Sequence, residues 1–201
     1  MISVYKLKPG FQGLLRPLVK KLAILGVSAN QITIFACILS IVYAYLLIFH
    51  EHHWLFMCIS VFMLIRMGLN AVDGMLAREH DMKSNLGMYL NELCDVISDT
   101  AIYLPFIFLQ SITPIWVFLF IFLSLISEFA GILAAQLQIN RRYDGPMGKS
   151  DRAVYVSILG IIIYFKPSYA LLDLFFIAVN CALLVTIFKR IRNGLIEVDH
   201  V

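Results

Sequence analysis

The chain has 201 residues, of which 61% are hydrophobic and only 14% are charged. Soluble globular domains are about half apolar and about a quarter charged, so this composition excludes one and indicates an integral membrane protein. The net charge of +3 is modest, and we expect no nucleic-acid partner. The length suits one membrane domain that occupies residues 1–201.

A membrane-spanning helix needs about 20 mostly apolar residues. Six segments meet or nearly meet this length, which predicts an all-α polytopic membrane protein with six transmembrane helices at about 30–49, 54–73, 86–110, 114–139, 152–166 and 168–188. Ahead of them, residues 9–25 mix apolar and basic side chains, which is typical of a short cytoplasmic amphipathic helix in the membrane interface. The alternative is a basic flank that only orients the first span.

The basic residues indicate how the chain is oriented in the membrane. They cluster before the first span, between the second and third, between the fourth and fifth, and after the sixth, whereas the opposite loops hold only Lys166. Because lysine and arginine are retained on the cytoplasmic side, we expect a protein of the cytoplasmic (inner) membrane with both termini in the cytoplasm.

Polar residues interrupt the apolar sequence between positions 70 and 99. Asn70 and Asp73 are three residues apart, so they share one helix face. Four-residue spacing places a second set on one face of the next helix: Gly87, Asn91, Asp95 and Asp99. Ionisable groups at membrane depth are costly and mark functional sites by default.

Two further charged residues, Arg66 and Glu128, lie inside the second and fourth predicted spans. We expect them to pair with each other or with Asp73 and Asp95, because an isolated charge at that depth is unfavourable. A structural ion pair and a direct role in the site are both open interpretations.

The spacing of the polar residues resembles the signature of the CDP-alcohol phosphatidyltransferase family, D-x2-D-G-x2-A-R-x8-G-x3-D-x3-D. Here the same frame reads Asn70-x2-Asp73-Gly74-x2-Ala77-Arg78-x8-Gly87-x3-Asn91-x3-Asp95. All intervals match, and six of the eight positions hold the expected residue type. Residues 27–33 further resemble the family's P-N-x2-T motif, with Asn30 and Thr33 in place and Ala29 where proline is usual.

The resemblance implies a divalent cofactor, Mg2+ or Mn2+, held by oxygen ligands. The implied metal ligands are Asn70, Asp73, Asn91 and Asp95. Asp73 and Asp95 are the implied catalytic residues, and Asp95 would accept the proton of the acceptor hydroxyl. The implied contacts to the CDP-alcohol are Asn30, Gly74, Ala77, Arg78 and Gly87. Taken alone, the two glycines would indicate helix packing.

Two departures from the signature concern the metal. Asn70 and Asn91 stand where the family has aspartate, and a carboxamide oxygen ligates a hard cation without adding negative charge. Four carboxylates suit two divalent ions beside a pyrophosphate, so two carboxylates predict weaker binding or one tightly bound ion. Whether Asp99 or Glu92 restores some of the lost charge stays open at this point.

A second polar stretch, residues 141–152, is a glycine- and proline-containing loop with four basic residues. Such a loop directs cationic side chains at a phosphate group. By the resemblance we assign Lys149, Arg152 and, less directly, Arg142 to the phosphate of an acceptor. The alternative is that these residues only mark the cytoplasmic side.

The resemblance therefore implies an enzyme of phospholipid biosynthesis that transfers a phosphatidyl group from CDP-diacylglycerol to an alcohol and releases CMP. We expect glycerol 3-phosphate as the acceptor, which would make the chain similar to a phosphatidylglycerophosphate synthase. The alternatives are inositol phosphate or another acceptor, and a catalytically silent relative that binds lipid or nucleotide. The expected partners are CDP-diacylglycerol, a small phosphorylated alcohol, membrane lipid and, as is common in the family, a second copy of the chain.

Overall fold

The computed structural model describes residues 8–50, 53–137, 139–165 and 169–198. Lys166, which entered the orientation argument, lies outside these residues. The described residues form seven α-helices and a short 3-10 helix, Leu104–Phe108, which confirms the all-α prediction. The α-helices are α1 (Lys8–Ile24), α2 (Ala29–Phe49), α3 (His53–Glu79), α4 (Asn85–Tyr103), α5 (Pro114–Gln136), α6 (Lys149–Tyr164) and α7 (Tyr169–Val198).

Four helices in the described part of the chain are long and apolar enough to cross a membrane: α2, α3, α5 and α7. The other two predicted spans correspond to α4 and α6. Helix α4 carries three acidic residues, Glu92, Asp95 and Asp99. Helix α6 has 16 residues, a length of about 24 Å against a hydrocarbon core of about 30 Å. The count of six spans therefore stays a prediction, as does the interfacial role of α1.

The first of two compact units contains the described residues up to Ile102 together with Val156–Tyr164. Helix α1 packs on α3, where Val19 is buried against a set of apolar side chains: Ile32, Val72, Met75 and Leu76. Arg16 of α1 forms an exposed salt bridge with Glu79 at the end of α3, at 3.1 Å. A Ser28–Gln31 capping box begins α2, because the Ser28 hydroxyl accepts the Gln31 amide and the Gln31 side chain accepts the Ser28 amide.

The second unit contains Tyr103–Tyr155 and the described residues from Phe165 onward. Helices α5 and α7 pack along each other around buried aromatic rings: Tyr103, Phe106, Phe120, Tyr155 and Phe176. Thr113 precedes α5 and donates both its amide and its hydroxyl to the Asp173 carboxylate of α7, at 2.8 and 2.6 Å. Pro114 follows as the first residue of α5, where a missing amide donor costs nothing.

Candidate active site

The eight signature positions lie on the last turns of α3 and the first turns of α4, within the first unit. A short loop joins the two helices, and Asp81 in this loop has a left-handed backbone with φ of 55°. Helix α4 is capped by Ser84, whose hydroxyl accepts a hydrogen bond from the Gly87 amide at 2.9 Å. The hairpin predicted from the spacing is therefore present, and it places the two halves of the signature on consecutive helices.

Asp73 is nearly inaccessible to solvent, with 4% of its surface exposed. The hydroxyl of Thr33 on α2 donates to Asp73 Oδ2 at 2.8 Å, and the Ala29 carbonyl oxygen lies at the longer distance of 3.2 Å from the same hydroxyl. Thr33 belongs to the motif before the first span, but the sequence did not suggest its contact with Asp73. A hydroxyl donor stabilises the ionised carboxylate. Because the bond fixes Oδ2, it also fixes the orientation of the other oxygen, Oδ1.

Asp95 on α4 is contacted by two residues of α3. The Asn70 carboxamide donates to Asp95 Oδ1 at 3.0 Å, and Arg66 donates through Nη2 to the Asp95 main-chain carbonyl at 3.2 Å. Arg66 lies one turn before Asn70, so both donors come from one face of α3. The structure thus brings together two of the predicted site residues, Asn70 and Asp95, and Asp73 lies one turn beyond Asn70 on α3.

Arg66 also forms a buried ion pair with the carboxylate of Asp99. From the sequence, we expected Arg66 to pair with Glu128 or with the Asp73/Asp95 pair. In the structure it contacts the Asp95 main chain and forms an ion pair with Asp99. Four-residue spacing on α4 explains this result, because Asp99 lies one turn beyond Asp95. Because Asp99 is paired with an arginine, these two residues together add no net charge to the site.

Two signature glycines lie close to side chains that were predicted to contact the CDP-alcohol. A Cβ added at Gly74 would lie 3.1 Å from Arg78 Nη1, so the Arg78 guanidinium folds back over Gly74. A Cβ added at Gly87 would lie 2.7 Å from Asn30 Oδ1. Ala77 packs partly buried against the apolar cluster between α1 and α3. Because each glycine lacks a side chain, the Arg78 guanidinium can lie against Gly74 and the Asn30 carboxamide against Gly87.

The residues present fit a hard divalent cation, although with less charge than the full signature would supply. Among the described residues, no three His, Cys, Asp or Glu side chains lie close enough together to hold a metal ion. What remains is a set of two carboxylates, Asp73 and Asp95, and two carboxamides, Asn70 and partly buried Asn91. All four offer oxygen atoms, the ligand type that Mg2+ and Mn2+ prefer. We call Asp73, Asp95, Asp99, Asn70 and Arg66 the acidic cluster.

A second polar cluster lies wholly within the second unit and is centred on Glu128 of α5. Three arginines reach its carboxylate, Arg141 at 2.8 Å, Arg152 at 2.9 Å and Arg190 at 3.5 Å. They come from the segment before α6, from α6 and from α7. Arg152 is fully buried and also donates to the Ser127 hydroxyl, and Arg190 donates to the Ser127 carbonyl. We call these four charged residues the arginine cluster.

The loop before α6 is tied to the end of α7. Arg142 donates two hydrogen bonds to the Asp144 carboxylate, at 2.7 and 3.1 Å, and forms a salt bridge with Glu197. Asn193 donates to Asp144 as well, at 3.0 Å. Burial raises the pKa of Asp144, but the bonds from Arg142 and Asn193 outweigh this effect and hold its pKa below the ordinary value.

The predicted phosphate-binding residues therefore have different surroundings. Arg152 belongs to the arginine cluster, Arg142 belongs to the Asp144 network, and Lys149 begins α6. The sequence did not single out Arg141 and Arg190 as members of a site. Arg141 was one of the four basic residues of the 141–152 stretch, and Arg190 was counted among the basic residues after the sixth span, with no ligand assigned to either. The sequence signal for Arg190 was its position within the continuous helix α7. Whether these groups bind a phosphate stays a prediction.

Comparisons with known proteins agree with this arrangement. The profile of the CDP-alcohol phosphatidyltransferase family matches residues 26–188. The Inner membrane protein YnbA of Escherichia coli (strain K12) is 43% identical over 168 residues, which is 84% of either chain. Two crystal structures of phosphatidylinositol phosphate synthase (PgsA1) from Mycobacterium tuberculosis have the same fold. One, in complex with manganese and citrate, has a TM-score of 0.74 at 20% identity and covers 89% of this chain and 88% of its own. The other, with CDP-DAG bound, has a TM-score of 0.73 at 19% identity and covers 89% and 92%.

The fold and the site thus define a helical membrane transferase of phospholipid biosynthesis. The chain belongs to the CDP-alcohol phosphatidyltransferase family. The predicted enzyme class is confirmed at this level, and so is the use of divalent metal ions as a property of the family.

Proposed function

We propose that this chain transfers a phosphatidyl group from CDP-diacylglycerol to a small phosphorylated alcohol, with glycerol 3-phosphate as the leading acceptor, and releases CMP. The observation that carries the proposal is the hydrogen-bonded contact of Asn70 with Asp95, one turn from buried Asp73, inside the matching signature frame. The CDP-DAG complex of the related synthase supports the choice of donor.

We assign Asp73 and Asp95, with the carboxamide oxygens of Asn70 and Asn91, to a divalent cation, Mg2+ or Mn2+. When bound, the cation supplies positive charge against the pyrophosphate of the donor. Asp95 accepts the proton of the acceptor hydroxyl, and its bond from Asn70 orients the carboxylate for this role. Arg78 forms hydrogen bonds with the phosphates of the CDP-diacylglycerol. The nucleotide-binding site is lined by Asn30, Gly74, Ala77 and Gly87.

We assign the phosphate of the acceptor to the second unit. The three arginines and one glutamate of the arginine cluster carry a net charge of +2, which suits an anion. Lys149 at the start of α6 adds a further cation. Arg142 already binds two carboxylates, so it contributes less to this assignment than Arg152 and Lys149.

The membrane arrangement that we propose has six spans, both termini in the cytoplasm, and α1 lying in the membrane interface. Exposed leucines on α1, including Leu14 and Leu18, support contact with lipid, and Arg16 and Lys20 suit anionic headgroups. The basic loops support the orientation, and the inner-membrane relative supports the location. We also propose a homodimer on the resemblance to the family.

The test is CMP release by the purified protein with CDP-diacylglycerol and Mn2+ or Mg2+, across glycerol 3-phosphate, inositol phosphate, inositol, serine and no acceptor. We expect release that depends on glycerol 3-phosphate. Release that depends on inositol phosphate would favour the activity named in the related synthase. No release with any acceptor from folded protein would contradict the proposal and favour a silent binding protein.

A further inference from the structure

The Asn70–Asp95 contact has a property that a second carboxylate could not provide. Asn70 donates its amide proton to Asp95 Oδ1 at 3.0 Å. An aspartate at position 70 has no proton to donate when ionised, and two carboxylates at such a distance repel unless cations lie between them. The carboxamide therefore allows α3 and α4 to bring these side chains together without a cation at that contact.

Arg66 supplies a second attachment of Asp95 to α3. Its guanidinium donates to the Asp95 main-chain carbonyl at 3.2 Å and pairs with Asp99, the next acidic residue on the same face of α4. With 4% of its surface exposed, Arg66 is a buried cation. Asp95 is thus held through its side chain by Asn70 and through its backbone by Arg66.

The charge of the cluster matches a single divalent cation. Asp73, Asp95 and Asp99 carry three negative charges and Arg66 carries one positive charge, which leaves −2. Two ions would bring +4 to these residues, whereas one ion would balance them. Thr33 also binds Asp73 Oδ2 with a neutral hydroxyl, so one oxygen of this carboxylate already has a protein donor.

We infer that the chain binds one divalent cation with Asp73 and Asp95 as its charged ligands, and that the Asn70 amide donor and Arg66 hold Asp95 in position where a second cation would otherwise be needed. The inference rests on the metal dependence within the proposed function. It assigns the departure at Asn70 to a site in which a protein hydrogen-bond donor holds Asp95, where two carboxylates would need a cation between them.

The number of bound ions can be measured without turnover, by electron paramagnetic resonance of free Mn2+ during titration of the purified protein. The variants are Asn70→Asp, Asn91→Asp and the double variant. Asp73→Asn/Asp95→Asn, which lacks both charged ligands, measures the baseline of Mn2+ binding elsewhere on the protein. Asn85→Asp is the matched control, because Asn85 is exposed at the start of α4 and takes the same chemical change. We expect one Mn2+ per chain for the wild type and the control, and two for the double variant. Two ions in the wild type, or one in the double variant, would overturn the inference.

The positioning role is tested by removing donors without adding charge. Asn70→Ala and the charge-neutral pair Arg66→Leu/Asp99→Leu each lose one attachment of Asp95, and the pair avoids leaving a buried charge without its partner. We expect kcat to fall about tenfold in each, the scale of one hydrogen bond, with one Mn2+ still bound. Unchanged kcat, or loss of the single ion, would contradict the positioning role. Failure of the wild type to release CMP would instead contradict the proposed function. The two failures can be distinguished, because the count of bound ions does not depend on turnover.

Discussion

The acidic cluster of the first unit and the arginine cluster of the second have opposite charge balances. In the acidic cluster, three carboxylates accompany one guanidinium group, and neutral donors from Asn70 and Thr33 complete the bonding. In the arginine cluster, three guanidinium groups share the carboxylate of Glu128. The first arrangement suits a cation and the second suits an anion.

The clusters also differ in how their charges are satisfied. The acidic cluster relies on neutral side chains that an isosteric substitution can remove without leaving a new charge. The arginine cluster relies on one central residue, and its loss would leave several buried cations without that counterion. Substitutions in the two clusters should therefore affect different properties, catalysis and metal binding in the first and stability in the second.

The largest expected effect is on catalysis in the acidic cluster. Asp95→Asn should reduce CMP release at least about 100-fold, because a carboxamide does not accept the acceptor proton. Asp81→Asn is the matched control, since Asp81 is exposed and asparagine tolerates its left-handed backbone. Full activity of Asp95→Asn in the CMP assay would exclude the role of this residue as the base.

The arginine cluster should show the largest effect on folding. Glu128→Gln removes a carboxylate bonded by three arginines and should destabilise the protein by about 3 kcal/mol, measured by thermal unfolding in detergent. Glu79→Gln, which breaks the exposed pair with Arg16, serves as control and should leave the melting temperature unchanged. Equal melting temperatures for Glu128→Gln and wild type would show that Glu128 is not the organising residue.

A smaller effect is expected on Mn2+ affinity, through the hydroxyl that orients the Asp73 carboxylate. Thr33→Val keeps the side-chain shape but removes the hydroxyl that donates to Asp73, and it should weaken Mn2+ binding about tenfold. Ser40→Ala on the same helix also removes a buried hydroxyl, one that bonds the Ala36 carbonyl, and should not change Mn2+ affinity. Unchanged affinity in Thr33→Val would separate this hydroxyl from the metal site.

The smallest effect concerns the melting temperature at acid pH, through Asp144 in the loop before α6. Because the folded state holds the pKa of Asp144 below its ordinary value, its contribution to stability is complete above that value and declines as the pH falls below about 4. The melting temperature of Asp144→Asn should therefore lie below that of wild type at neutral pH, and the difference should shrink on acidification. A difference that is independent of pH would contradict this account.

Much of the fold could be predicted because hydropathy is a local property of the sequence. Each predicted span corresponds to a helix, and the predicted first span, 30–49, coincides with α2 to within one residue. The third predicted span was too long, since α4 ends at Tyr103 and a 3-10 helix follows with Pro105 in its first turn. A proline lacks the amide that would continue the α-helix, which accounts for the earlier end.

The sequence by itself determined the membrane class, the helical segments and the signature frame, because composition, periodicity and spacing depend on residues close together in the chain. Only the tertiary structure decided which charges pair. Arg66 pairs with Asp99, Asn70 donates to Asp95, and three arginines from separate elements bind Glu128. Such pairs join residues far apart in sequence, and which of several candidate partners a buried charge finds depends on helix packing, which no local pattern encodes.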